Sequence, residues 1–430
     1  MLLHGTMNIE ADVLSIGGVS TQTLVKTYQT PLYVYDEALI QKNCRDYLTH
    51  FDCLNGKNRI AYASKAFLPL YMCRLIQQEG LYLDVVSEGE LYTASRANFP
   101  MARVLFHGNN KTPSEIKMGI ELGVGVFVVD NEYELKQLQA YCLKKQCTQQ
   151  IYLRITPGIE AHTHQYIKTG QIDSKFGFTV ENGDLWACLK RFNEYTQLQL
   201  VGLHAHIGSQ IFDVEPFYEE VTVMMKLLKA IKDQFSIELS VVNLGGGMGV
   251  YYTDADTPKS IETFCQCLLE HAKKTCEALE MALPILMLEP GRSIVANAGS
   301  TLYTVGSMKD ILNVRTYVSV DGGMTDNIRP SLYQARYECA VANRMVGKSS
   351  SLVTIAGKCC ESGDILITDA DVSQIEPFDT LVIASTGAYG YSMASTYNKI
   401  LKAAVVVVRD GHHELIIRRQ TFEELLMQEI

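Results

Sequence analysis

Lys65 stands in a run of small and apolar residues, Ala61-Tyr62-Ala63-Ser64-Lys65-Ala66. An amine held there in a partly dry site would lose proton affinity, becoming nucleophilic enough to form an imine with an aldehyde. An arbitrary lysine is a solvated edge charge. What sets Lys65 apart is repetition, because seven later apolar runs also end in polar or glycine-rich motifs. These are Asp84 with Ser87 and Glu90; His107-Gly108-Asn109-Asn110; Asp130; Arg154 with Pro157-Gly158; His204 with His206 and Ser209; Gly245-Gly246-Gly247; and Glu289-Pro290-Gly291-Arg292.

Each motif has a chemical reading beside a structural one. The triple glycine is either a tight turn or a cradle in which backbone N–H groups converge on a phosphate. His204 and His206 lie two positions apart, so on a strand both would face one side. One suits a satisfied core histidine and the other a ring packed flat on an aromatic cofactor, while metal binding lacks a third ligand at convincing spacing. Glu289 is a helix cap or salt-bridge partner, or, with a pyridine cofactor, the carboxylate that keeps the ring nitrogen protonated and the ring a strong electron sink. Pyridoxal phosphate is the usual aldehyde of that kind.

Elements must place these groups. The spacing predicts strands over Arg59–Ser64, Tyr82–Val86, Arg103–Phe106, Val126–Val129, Ile151–Ile155, Leu200–His204, Ser240–Leu244 and Ile285–Leu288, with Lys65 ending the first. Helical stretches such as Glu132–Lys145, Pro216–Gln234 and Ile261–Leu279 have the length of crossovers between parallel strands. Eight such units predict an α/β fold, a (β/α)8 TIM-like barrel over residues 36–293 whose functional groups gather at the C-terminal strand ends. After Arg292 the texture turns to β-rich segments, and residues 294–430 with 1–35 predict a second, mostly β domain built from both termini. Residues 1–35 show an extended run, Pro31–Tyr35, and no strong helix.

The chain has 430 residues, 47% hydrophobic and 20% charged, enough for two globular domains. A formal net charge of −10 disfavours nucleic acid or an anionic membrane as partner. No run reaches the length of a membrane span, and the N-terminal stretch carries Glu10 and Asp12 where a leader would be basic, which predicts a cytoplasmic protein. The 12 cysteines lack zinc-site spacing and disulfide-scaffold density. Cys359-Cys360 stands out as an adjacent pair between Gly357 and Gly363, beside Glu361.

Tyr62-Ala-Ser-Lys65-Ala, Gly202-Leu-His-Ala-His206-Ile-Gly-Ser209-Gln, Asn243-Leu-Gly-Gly-Gly247 and Glu289-Pro-Gly-Arg292 resemble the pyridoxal-phosphate decarboxylases of the alanine-racemase-like fold. So do Asp173-Ser-Lys175-Phe-Gly177-Phe, Asp321-Gly-Gly-Met, Arg329-Pro-Ser-Leu-Tyr333, Cys360-Glu361-Ser-Gly-Asp364 and Gly387-Ala-Tyr389-Gly-Tyr-Ser-Met-Ala. The resemblance spans nearly the whole chain. Ala205 departs from it where the family often has Cys, and Cys359 where Pro is common.

The resemblance implies a homodimer with active sites at the subunit interface and pyridoxal 5'-phosphate as cofactor. Lys65 would be its Schiff-base lysine, Asp84 a polar neighbour of that amine, and His206 the ring stacked on the cofactor. Ser209, Gly245, Gly246, Gly247, Gly291 and the Glu289–Arg292 turn would hold the phosphate and pyridine nitrogen, with Tyr389 closing over them. Cys360, delivered by the partner subunit, would be the general acid. Arg292, Arg329 and Tyr333 would grip a distal carboxylate, bidentate recognition suited to guanidinium groups, and Glu361 a distal ammonium. The implied reaction is decarboxylation of meso-2,6-diaminopimelate to L-lysine and CO2, with ornithine, arginine and carboxynorspermidine as rival substrates and a non-catalytic cofactor carrier as the reading from another class.

Overall fold

A computed structural model describes residues 1–54, 56–159, 174–346 and 350–430. By their internal contacts these fall into two compact units, one of residues 43–249 and 258–291, the other of residues 1–42, 250–257 and 292–430.

The first unit is a closed parallel barrel. Its strands are β1 (Arg59–Ala63), β2 (Tyr82–Val85), β3 (Val104–Phe106), β4 (Val126–Val129), β5 (Gln149–Thr156), β6 (Leu198–His204), β7 (Val241–Asn243) and β8 (Ile285–Leu288). Each pairs with the next in parallel, and β8 closes the ring on β1. Helices that cross between them include α1 (Leu70–Gln78), α2 (Glu88–Arg96), α3 (Pro113–Leu122), α4 (Glu132–Lys145), α5 (Asp184–Lys190), α6 (Glu215–Phe235) and α7 (Ile261–Ala278). Their starts are written locally. Thr112 and Glu115 form a reciprocal capping box with Pro113 in the first turn of α3, and Asn131 caps α4 by accepting the Glu134 N–H.

Side-chain alternation then does the positioning. Ala61, Leu105, Val128, Tyr152, Val241 and Met287 pack in one cluster contributed by six strands. Burying each aliphatic member contributes about 1.5–3 kcal/mol relative to exposure. Two residues further along, on five of the six strands or one residue past their ends, stand His107, Asp130, Arg154, Asn243 and Glu289. The polar ring is therefore the next layer above the apolar one.

In the second unit, Leu32–Asp36 lies between Gly299–Ile311, antiparallel to it, and Ala404–Arg409, parallel to it. Arg315–Val320, the strand of residues 350–356 and Ile365–Ser373 extend this nine-stranded sheet, and Cys339–Val341 and Thr380–Ile383 branch from it. Residues 1–35, which show no strong helical pattern, nevertheless hold a helix at Thr21–Tyr28. Three of its residues are threonines, which disfavour helix. The Ser20 cap on Thr23 N–H and burial of Leu24 outweigh that propensity. Among the described residues no helix is long and apolar enough to cross a membrane.

Candidate active site

At the C-terminal mouth of the barrel, Glu289 is buried and accepts three hydrogen bonds. His107 Nε2 lies 2.9 Å from Oε1, Asn243 Nδ2 2.7 Å from Oε1, and His204 Nε2 3.1 Å from Oε2. Burial alone would push this carboxyl up, yet His107 and His204 hold it well below the usual carboxylate range. An ionised carboxylate only accepts, so both imidazoles donate from Nε2. Burial pushes His204 down to about 4, leaving it neutral with a bare Nδ1. That Nδ1 is buried without a hydrogen-bond partner.

Asp84 pairs in register with Ala63, beside the turn that carries Lys65. Its carboxyl is pushed up by burial, with His107 and Lys65 opposing, and its Oδ1 is buried without a hydrogen-bond partner. His107 Nε2 stands 3.7 Å from that oxygen. Glu90, pinned by the Val86 N–H at 2.6 Å, is pushed up to about 7 by burial, against the pull of Lys65. Asp130 accepts the Gly177 N–H at 3.0 Å, and the Arg154 guanidinium lies 4.1 Å from the centre of the Phe176 ring. Asp173, which begins that predicted motif, lies outside the described residues.

Lys65 departs from expectation in two ways. It follows β1 in a short 3-10 turn, Ser64–Ala66, and it is exposed while Ser64 and Ala66 are buried. The turn takes Lys65 out of strand alternation, and its charge acts on Asp84, Glu90 and His206. His206, half-buried beyond the end of β6, is held well below its usual range by burial, then by the charges of Lys65 and Arg154.

The glycine run differs from a simple phosphate cradle. The Gly245 N–H donates to Asn243 Oδ1 at 2.9 Å and the Gly246 N–H to His206 Nδ1 at 3.3 Å, so two of the three expected donors serve the protein's own side chains. A Cβ on Gly246 would stand 2.4 Å from the Glu289 carbonyl oxygen, and one on Gly247, at φ +134°, 2.8 Å from that of Gly208. Glycine here lets the β7 and β8 loops touch. Half-buried Ser209 lies in a loop tied to this run by Ile211 N–H to Gly247 O, 3.0 Å. Gly291 packs on Ala63 and Ala66, a Cβ there falling 2.9 Å from that of Ala63.

The sequence offers no third metal ligand at convincing spacing beside His204 and His206. The fold supplies ligand-type groups in His107, His204 and Glu289, whose ligand atoms lie within 4.8 Å of one another. In this arrangement both Nε2 atoms spend their protons on the carboxylate.

The remaining predicted residues belong to the β-rich unit. Arg329 is buried, donates from Nε to Tyr337 Oη at 2.9 Å, and lies 5.5 Å from the Tyr333 and 5.4 Å from the Tyr389 ring centre. Arg292, also buried, donates from Nη1 to Tyr252 Oη at 2.7 Å and stands 5.0 Å from the centre of the Tyr389 ring. Two guanidinium groups thus share one tyrosine cluster. Tyr389 takes a left-handed backbone, φ +63°. Cys360 and Glu361 are exposed on a tight loop organised by buried Asp364, which accepts from Cys359 N–H at 2.8 Å and Met324 N–H at 2.6 Å. Gly323 and Gly357 leave room for that carboxylate, since a Cβ on either would fall within 2.4 Å of it. The Cys360 N–H donates to Asn398 Oδ1 at 2.7 Å, and burial pushes the neighbouring Cys359 thiol up to about 11.

Residues 37–296 match the pyridoxal-dependent decarboxylases over their pyridoxal binding domain. The chain belongs to that family. It is 48% identical over 421 residues to a diaminopimelate decarboxylase of Bacillus methanolicus, covering 98% of each chain, and 47% identical over 427 residues to that of Bacillus subtilis, covering 99% of this chain and 97% of the relative. A crystal structure of diaminopimelate decarboxylase from M. jannaschii in co-complex with L-lysine superposes with a TM-score of 0.93 at 35% identity, covering 100% of this chain and 99% of that one.

A pyridoxal-dependent decarboxylase needs an accessible amine and a carboxylate that stays ionised out of water. Lys65 and Glu289 satisfy both conditions, and the unpartnered buried oxygen of Asp84 offers a further acceptor at the same mouth. The donor and acceptor set fits the cofactor.

Sequence reasoning gave no role to His107, Asn243 or Asp130, although strand parity points to all three. Tyr252 and Tyr337 carried no local signal.

Proposed function

We propose that this pyridoxal-dependent decarboxylase acts on meso-2,6-diaminopimelate, releasing CO2 and L-lysine as the final step of lysine biosynthesis. Full-length relatives carrying that activity in their names support the reading. The observation that carries the substrate choice is the pair of buried guanidinium groups, Arg292 and Arg329, in one tyrosine cluster. Diaminopimelate has a second carboxylate to meet them, and ornithine and arginine have none.

Pyridoxal phosphate, when bound, supplies a protonated pyridine ring that takes up the electron pair left by departing CO2. Lys65 would be the amine that holds the cofactor through its aldehyde. Glu289, kept ionised by two imidazoles, favours the proton on the pyridine nitrogen. His206, its ring neutral, would lie against the cofactor, and Asp84 would orient the Lys65 amine. Ser209, Gly247, Gly291 and Arg292 would hold the phosphate, with Gly245 and Gly246, whose N–H groups serve Asn243 and His206, leaving room beside it, and Tyr389 would cover it. Cys360 of a second subunit returns a proton to the carbon that lost CO2, which makes the working form a homodimer. Arg329 and Tyr333, with Arg292, bind the distal carboxylate, and Glu361 the distal ammonium. The enzyme works in the cytoplasm on small amino acids, without nucleic acid or membrane.

The test is product analysis on the purified chain with pyridoxal phosphate, offering meso-diaminopimelate, ornithine and arginine separately. Lysine and CO2 from the first alone support the reading. Turnover of ornithine or arginine alone would keep the decarboxylase chemistry and overturn the role given to the two arginines.

A further inference from the structure

Helix α4 ends in a backbone motif that brings two cysteines together. Gln146 takes the left-handed conformation, φ +54°, its N–H donates to Leu143 O at 3.2 Å, and the Cys147 N–H reaches back to Cys142 O at 3.1 Å. This is a Schellman ending, in which the side chains at the two ends of the longer hydrogen bond pack against each other. Usually those side chains form an apolar pair. Here they are Cys142 and Cys147, close enough that Cys147 helps to raise the Cys142 thiol. Cys142 is fully buried, whereas Cys147 is partly exposed and lines a surface recess of about 490 Å³ with Lys145, Thr148 and Gln149.

We propose that Cys142 and Cys147 are a modification site that closes into a reversible disulfide by exchange with a small-molecule disulfide such as oxidised glutathione. A disulfide needs Cα atoms within roughly 4.4–6.8 Å and facing Cβ vectors. The direct hydrogen bond between the two backbones, Cys147 N–H to Cys142 O at 3.1 Å, brings the pair into that regime. Cys147 meets the oxidant first, because it alone reaches solvent. Its thiolate attacks one sulfur of the oxidant, expels one glutathione thiolate and forms a mixed disulfide. Cys142 then loses its proton and attacks Cys147 Sγ, expelling the second glutathione. Two protein thiols give up two electrons and two protons, and the oxidant is reduced to two thiols. Burial and the neighbouring sulfur push the Cys142 thiol up to about 12, so the second step is the slower and quickens as pH rises.

The ring closes at the N-terminal end of β5, the strand that carries Arg154 near its other end. Turnover is therefore expected to stay within about twofold, since the helix end is already held by its own hydrogen bonds.

The test is peptide mapping of the cofactor-loaded full chain after incubation with oxidised glutathione and alkylation of remaining thiols. The expected result is a transient glutathione adduct on Cys147 that converts to a Cys142–Cys147 link, removing two alkylatable thiols and reversed by dithiothreitol. Cys142→Ala should retain the adduct on Cys147, and Cys147→Ser should leave Cys142 unmodified. A wild-type adduct that persists on Cys147 while Cys142 stays alkylatable would overturn the proposal. So would oxidation confined to exposed Cys360. Both refuting results are read on unmutated protein and do not depend on a variant folding.

Discussion

Replacing Lys111 with Met exposes how the barrel tolerates a buried charge. Lys111 Nζ lies 2.7 Å from Glu134 Oε1, and the two side chains are 1% and 2% exposed. The other two ammonium donors go to Gly108 O at 3.0 Å and Val128 O at 2.8 Å, so all three are used. Burial pushes the Glu134 carboxyl up and Lys111 pulls it back. Without the lysine, the cheapest state of Glu134 in the fold is protonated. At pH 7 that costs at most the gap between 7 and an unfolded glutamate near 4.3, at about 1.36 kcal/mol per unit, or about 3.7 kcal/mol. Loss of hydrogen bonds to two carbonyls adds about 1 kcal/mol each, independent of pH. The total is about 6 kcal/mol at pH 7 and about 3 kcal/mol at pH 5. A group protonated in the fold and ionised when unfolded loses stability as pH rises, so the penalty must grow from pH 5 to 7. Urea unfolding followed by Trp186, the sole tryptophan, which stacks on Phe235 in the barrel unit, reads this directly. The companion variant Lys111→Met with Glu134→Gln keeps an acceptor for the Asp130 N–H and should recover the pH-dependent part. A penalty under about 1 kcal/mol, or one equal at pH 5 and 7, would refute the reasoning.

Three further outcomes are expected. Glu289→Gln should lower kcat by about 10²–10⁴-fold with cofactor content, read by visible absorbance, unchanged; kcat within about twofold of wild type would remove Glu289 from the chemistry. Barrel stability should fall as pH drops from about 6.5 toward 4, because His204, pushed down to about 4 by burial, is neutral in the fold and charged in the unfolded chain. The contribution is complete above the unfolded value and amounts to about 3 kcal/mol, so His204→Asn should flatten the urea midpoint over this range. Arg329→Leu should raise KM for meso-diaminopimelate at least tenfold, about 1.4 kcal/mol, with steady-state kinetics as the check and an unchanged KM as the contrary result.

Local pattern made much of the architecture legible. All eight predicted strands coincide with β1–β8 to within about two residues at either end, because a strand buried on both faces reads as a short apolar run such as Val126-Phe-Val-Val129. The helix at Thr21–Tyr28 is not legible locally, since a threonine-rich segment carries a weak pattern and Leu24 is buried by other elements.

The sequence by itself determined which residue types end the strands, and alternation determined their side, because both depend on neighbours one or two positions away. Tertiary closure decided what those residues touch. Glu289 meets His107 across 182 positions and Asn243 across 46, and no local period encodes such a pairing. The same holds for Arg292 and Arg329, which share Tyr252 and Tyr389 only once the β-rich unit has assembled. Lys65 marks the boundary between the two kinds of information. Its place after β1 is written in the chain, whereas its exposure comes with a turn in which Ser64 and Ala66 are buried in the folded barrel.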